Sequence, residues 1–325
     1  MRILVTGGAG YIGSVLIRKL INSGHSVRNL DIFMFGDESV HELKNIKNYE
    51  EIKGDIRDKN VIKKALRNID TVVHLAAIVG DAAYTMQDKI AFDTNFVATI
   101  KLADMCRERK IKKFIFASTC SVYGANEGNN FLTETSKLNP VSLYAKTKLH
   151  AESALMSLSN SNFMPCILRF GTVYGLSPRM RFDLIVNLLI KKATIEKKIK
   201  IFGGEQWRPF VHVTDVAKAV QLVLESPIEK IGNKIFNVGS TDENYKMKDI
   251  GNMVKKILGA RMEVIKQLKD KRSYRVSHDK IKNELNFTTN KTIKNGIKEI
   301  SSAIKNGKIK NPEDDKFYNY RIKLL

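Results

Sequence analysis

The sequence predicts an α/β protein, a doubly wound parallel sheet followed by a smaller mixed α/β region. Three observations lead there. Short apolar runs alternate with helix-period segments through the first half of the chain. Those runs, "RILVT", "TVVH" and "FIFA" among them, are almost continuously apolar, as strands buried on both faces are. The chain has 325 residues, 43% of them hydrophobic, which is enough to build such a core without staples.

The elements follow in order. "RILVTGG" reads as a strand and "YIGSVLIRKLINSG" as a helix stopped by Gly24. "SVRNLDI" and "YEEIKGD" are strands, "DKNVIKKAL" a helix and "DTVVHLAA" a strand. One long helix is expected through "IAFDTNFVATIKLADMCRERK", then the strand "KKFIFAS". "LYAKTKLHAESALMSLS" is a helix and "MPCILRF" a strand. After about Gly171 this rhythm loosens. The expected division is a dinucleotide-binding domain over 1–170, with 210–240 returning to it, and a mainly substrate-binding region over 171–325.

Composition excludes several classes. Cys106, Cys120 and Cys166 have no close spacing, so neither a disulfide framework nor a metal site is expected. No apolar run is long enough to cross a membrane, and the chain opens directly on a strand, so a cytoplasmic location is expected. The formal net charge is +21, but the lysines are spread thinly and no aromatics interleave with them. That reads as a solvated surface, with neither nucleic acid nor membrane as partner.

The chemistry begins at "TGGAGYIG". Gly7, Gly10 and Gly13 follow a strand and open a helix. Glycine there allows a tight turn and lets backbone N–H groups approach a pyrophosphate, whose charge the helix N-terminus favours. Tyr11 and Ile12 belong to the same loop. Asp31 ends the next strand, where a carboxylate can accept bonds from ribose hydroxyls and repel a 2′-phosphate. The expected cofactor is NAD rather than NADP, on a Rossmann-like fold.

The spacing Gly-x-x-Gly-x-x-Gly resembles the extended short-chain dehydrogenase/reductase family, the NAD-dependent nucleoside-diphosphate-sugar epimerases and dehydratases. Other blocks fall in that family's order and cover nearly the whole chain. "GDIRD" resembles the loop that meets adenine, through Asp55 and Ile56. "HLAA" resembles the strand end that passes the cofactor, with Leu75, Ala76 and Ala77, and Asn95 stands at the family's asparagine position. "YAKTK" supplies Tyr144 and Lys148, and "LRFGTVYG" and "WRPFVHVTDVA" match two later blocks. The resemblance also implies a homodimer.

Tyr144 and Lys148 lie four apart on a helix, so both side chains point the same way. A free tyrosine, with a pKa of about 10, is a poor base at neutral pH. A neighbouring ammonium and an oxidised nicotinamide both favour the phenolate, making Tyr144 a candidate general base. Lys148 would also hold the nicotinamide ribose.

"FASTCSVYG" runs from an apolar strand straight into hydroxyls and a thiol. By resemblance, Thr119 is the catalytic hydroxyl beside the substrate oxygen, and Ser118 sits nearer the nicotinamide. The family's 4,6-dehydratases carry Asp-Glu directly after the threonine, where this chain has Cys120 and Ser121. Dehydration is therefore not expected. Cys120 reads either as a small filler or as a group used in a related epimerase/reductase branch.

The partner expected by resemblance is a nucleoside-diphosphate sugar. Arg208 in "GGEQWRPFVHV" matches the arginine that takes the diphosphate, and Arg272, with Arg275 close by, matches a later phosphate-binding block. Arg179, Arg181 and Asn187 in "SPRMRFDLIVN" fall where relatives line the cleft, and Thr172 falls where many carry asparagine. "IVGDAAY", residues 78–84, is expected to reach over the sugar. Three readings stand at this point: a C4 epimerase working through a 4-keto sugar, a nucleotide-sugar (possibly heptose) 4-dehydrogenase or 4-keto reductase, and a non-catalytic NAD-binding sensor.

Overall fold

The computed structural model describes residues 1–80, 88–125, 130–266, 270 and 272–321. Seven parallel strands form the main sheet: β1 (Arg2–Thr6), β2 (Ser26–Asp31), β3 (Tyr49–Lys53), β4 (Thr71–His74), β5 (Lys113–Thr119), β7 (Met164–Phe170) and β11 (Lys234–Val238). Their spatial order is β11-β7-β5-β4-β1-β2-β3. The order reverses between β1 and β4, and ligands of such sheets bind beyond the carboxyl ends of the strands at that point. The short β6 (Phe131–Leu132) pairs outside this sheet with β14 (Arg275–Val276).

The sheet is buried on both faces, which is why its strands read as apolar runs. One face packs on the helices Gly13–Asn22 and Val213–Glu225, through Leu16, Leu20, Val216 and Val220. The other packs on Lys59–Ala65, Ala98–Glu108 and Leu143–Ser157, through Ile62, Leu102 and Leu155. Asp58 starts the first of these by accepting bonds from the N–H groups of Asn60 and Val61.

A third core lies under the second region. There β8 (Thr172–Tyr174), β10 (Trp207–His212) and β12 (Asn244–Lys246) form one small sheet, and β9 (Lys198–Phe202) pairs with β13 (Arg261–Ile265). The helices Ile185–Ile195, Met247–Leu258 and Ile293–Lys305 close over them around Val186, Ile250 and Ile297.

The long helix expected through Ile90–Lys110 is not continuous. It breaks into Asp88–Phe92, a π-helical turn Asp93–Val97 and Ala98–Glu108. Asn95, in the π turn, accepts a bond from the N–H of Ile78 and donates one to its carbonyl, both at 2.8 Å. The widened turn sets that side chain against the chain leaving β4, a contact no periodicity encodes.

At the switch point His74 is held between β1 and the helix Ala98–Glu108. Its Nδ1 lies 2.7 Å from Thr6 Oγ1 and its Nε2 lies 2.9 Å from Thr99 Oγ1. Thr99 spends its own proton on the Asn95 carbonyl, so His74 donates through Nε2 and accepts at Nδ1. Burial, with the Lys148 charge adding to it, pushes His74 down to about 3. Below its ordinary value of about 6.5 the unfolded chain therefore binds a proton that the folded chain refuses, and stability falls as pH falls. Between about pH 6 and pH 4, His74→Gln should show a stability slope shallower than the native one by up to about 1.4 kcal/mol per pH unit, in denaturant melts at each pH. Parallel slopes would mean that His74 does not carry this linkage.

Candidate active site

A cleft of about 740 Å³ runs along the carboxyl ends of β1, β2, β4 and β5 and on beneath the second region. At one end is the glycine loop. Gly7 has φ +74°, and a Cβ there would stand 2.7 Å from the N of Ala76 on the chain leaving β4. A Cβ on Gly13 would stand 2.3 Å from the Gly7 carbonyl oxygen. The loop thus closes against itself and against β4, with Gly10, Tyr11 and Ile12 lining the cleft at the helix start. This cradle fits a dinucleotide pyrophosphate.

Asp31 lines the cleft next to it. Its carboxylate accepts from the N–H of Ala9 at 2.9 Å and of Phe33 at 2.8 Å. Burial pushes its pKa up, and those two N–H groups oppose the rise. Two oxygens carry about four acceptor sites, so ribose hydroxyls can still bind. Asp55 and Ile56 line the cleft as well. Arg57 pairs with Asp55 at 2.6 Å and, against burial, holds its pKa down. Leu75, Ala76 and Ala77 form the wall that leaves β4.

Thr119 ends β5, and its hydroxyl accepts from the N–H of Ser121 at 3.1 Å, which starts the turn Cys120–Tyr123. The helix Leu143–Ser157 begins at Ser142, whose hydroxyl caps the N–H of Ala145. That brings Tyr144 to the cleft in its first turn and Lys148 one turn later, both lining it with Thr119. The Tyr144 ring packs on Ile78 and Ala91. Lys148 is 2% exposed, and its ammonium donates to the Ala117 carbonyl at 2.8 Å and lies 4.5 Å from the Phe116 ring centre. Burial pulls its pKa down to about 7, and Glu152, one turn on, opposes this.

On the substrate side, Thr172, Arg181, Arg208 and Arg272 all line the cleft. Arg181 forms a bidentate pair with Asp183 and lies in the field of Tyr144. Asp270 pairs with Arg208 at 2.9 Å and with Arg272 at 2.7 Å. Against burial, the two guanidinium groups hold it at about 2.

Two of the expected site residues do not line the cleft. Asn95 does not line the cleft, because its amide is buried and spent on Ile78. Asn187 does not line it either. It accepts from the N–H of Gly175 and donates to the Arg181 carbonyl and to the Tyr11 hydroxyl, a brace behind the wall. Ser118 does line the cleft, with its hydroxyl donating to Glu152. Asp81–Tyr84 of "IVGDAAY" lie outside the described residues.

Sequence reasoning also missed residues. Phe35, Tyr274, Asn319 and Tyr320 line the cleft. The last two arrive from the C-terminus, at no readable spacing from any motif. Cys120 is 1% exposed, its thiol donates to the Arg169 carbonyl, and burial raises its pKa far above the ordinary thiol value. It is a core filler. Among the described residues no cluster could hold a metal ion, and no helix is long and apolar enough to cross a membrane.

Comparison with known proteins agrees with this geometry. The chain is 36% identical over 252 residues to the uncharacterized UDP-glucose epimerase YtcB of Bacillus subtilis, covering 74% of this chain and 78% of that protein. It is 32% identical over 313 residues to a putative UDP-glucose 4-epimerase of Methanocaldococcus jannaschii, covering 94% and 98%. Among solved structures, the UDP-glucuronic acid 4-epimerase of Bacillus cereus, in complex with UDP-glucuronic acid and NAD, superposes with a TM-score of 0.83 at 31% identity, covering 94% of this chain and 99% of that one. The profile of one family matches residues 3–239. The chain belongs to the NAD dependent epimerase/dehydratase family and is an NAD-using enzyme of nucleotide-sugar chemistry.

Proposed function

We propose that the protein is a 4-epimerase of a nucleoside-diphosphate sugar, acting through a 4-keto sugar. The observation that carries this is the meeting of Tyr144, Lys148 and Thr119 in the cleft that also holds the glycine loop. The glycine loop and Asp31 would hold NAD, which would supply reversible hydride chemistry at C4. Tyr144 removes the C4 hydroxyl proton and later returns it. In its protonated form Lys148 favours the phenolate from one turn away, and Glu152 supports that form against burial. The Thr119 hydroxyl donates to the sugar oxygen as charge builds there.

The sugar's diphosphate would take the place beside Arg208 and Arg272, already aligned by Asp270. UDP-sugars are the first substrates to assay, since the Bacillus cereus relative holds UDP-glucuronic acid. Elimination of water has no support here, because Cys120 faces the core and Ser121 is a poor acid.

Tyr144→Phe should bind NAD as the native protein does and lose about a hundredfold or more in turnover. Native turnover in that variant would remove Tyr144 from the role of base. Asp31→Ala should weaken NAD and admit NADP, read from titrations with both cofactors; comparable affinity of the native protein for NADP would show that Asp31 does not discriminate.

The fate of the C4 hydrogen tests the reaction itself. A substrate deuterated at C4 should yield the C4 epimer with the label kept, and no net reduced cofactor. Label lost to the cofactor with accumulation of ketone would instead identify a 4-dehydrogenase. A product lighter by one water would overturn the assignment of Cys120 and Ser121.

A further inference from the structure

Arg179 has no role in the reaction as described, and its surroundings are unusual. It is 5% exposed yet lines the cleft. Its Nη2 donates to Asn319 Oδ1 at 2.7 Å, and its guanidinium carbon lies 3.8 Å from the Phe35 ring centre. Its Nε is buried without a hydrogen-bond partner among the described residues. No carboxylate among them lies within ion-pair distance of it, whereas Arg181 has Asp183. Burial, and next the Arg181 charge, bring its pKa down to about 9, so it remains a cation at neutral pH.

Its place along the cleft is fixed at both ends. The loop that carries it is stapled to the glycine loop. Tyr11 donates to the Gly175 carbonyl at 2.6 Å, and Ser177 donates to the Tyr11 carbonyl at 2.7 Å. These bonds hold Arg179 on a loop joined to the glycine loop, in the cleft that both line, and the glycine loop is the part of the cleft that fits a pyrophosphate.

Asn319, which holds it, belongs to a C-terminal strap. Lys316 of this strap pairs with Glu38, two residues beyond the cleft-lining Gly36, and Asn319 also donates to the Val79 carbonyl beyond β4. The strap thus spans the cleft from one side to the other.

We propose that Arg179, stacked on Phe35 and held by Asn319, is a cation of the dinucleotide site that takes the cofactor pyrophosphate as its counter-charge. It is distinct from the arginines that face the sugar nucleotide. The inference rests on NAD binding and not on the 4-epimerase reading, so either can fail without the other.

The test uses full-length protein freed of cofactor and titrated with NADH, followed by fluorescence, and with adenosine, which lacks phosphate. Arg179→Gln should weaken NADH by about ten- to a hundredfold, the loss of a charged hydrogen-bond donor, and adenosine by less than about twofold. UDP binding to the NAD-loaded protein should not change. Arg179→Lys should recover part of the NADH affinity. Unchanged NADH affinity would overturn the proposal. So would an equal loss for adenosine, which would make Arg179 a packing residue, or a loss confined to UDP, which would assign it to the substrate. If Arg179→Gln does not fold, Asn319→Ala leaves the cation in place and removes its support. NADH should then dissociate several times faster, by about two- to tenfold, and an unchanged rate would again overturn the proposal.

Discussion

Behind the cleft, Arg169 on β7 and Glu152 on the helix Leu143–Ser157 form an ion pair at 2.7 Å in which both side chains are almost wholly buried. Their partners account for the shape of the site. Glu152 accepts the Ser118 hydroxyl from the end of β5. Arg169 also donates to the Tyr123 hydroxyl, which in turn donates to Asn237 on β11. Strand ends, turn and helix are thus locked through one polar knot. Burying two charges is costly, and losing one partner of such a pair commonly costs about 3–5 kcal/mol. The pair makes sense as a positioning device. Glu152 lies one turn beyond Lys148 and opposes the effect of burial on that ammonium.

The two regions meet by the same logic. The Tyr11 hydroxyl donates to Gly175 and accepts from Asn187, while Ser14 and Ser177 sit 3.1 Å apart. The glycine loop and the loop that carries Arg179 and Arg181 are therefore one bonded unit. A displacement of a reacting atom by about an ångström can cost two orders of magnitude in rate, so such bracing bears directly on turnover.

Much of this was legible in the sequence, for definite reasons. The strands are short and buried on both faces, so hydrophobic runs located them. The glycine loop, Asp31, Tyr144 and Lys148 were legible because their spacing is local, set by one turn or one helix. Asn95 and Asn187 were misplaced because a motif fixes where a residue lies on its element but not what its side chain bonds to. Each faces a partner distant in sequence: Ile78 and Tyr11. Phe35 and Asn319 were invisible for the same reason, since they reach the cleft from loops whose path only the folded chain decides.

The stretch "FASTCSVYG" shows how closely these levels are coupled. β5 delivers Thr119 to the cleft, and the turn it caps then directs the next side chains. Cys120 goes inward against the Arg169 carbonyl. Ser121 faces the cleft, with its hydroxyl 3.4 Å from that of Tyr274. An acid at position 120 would enter a pocket that already holds Glu152 and Glu134 near the same arginine. A carboxylate there would lose its hydration and would compete with Glu152 for Arg169. The thiol, small and neutral, fills the space at little cost. An acid at position 120 would therefore call for repacking around the Arg169–Glu152 knot, because the turn that Thr119 caps directs residue 120 into the core.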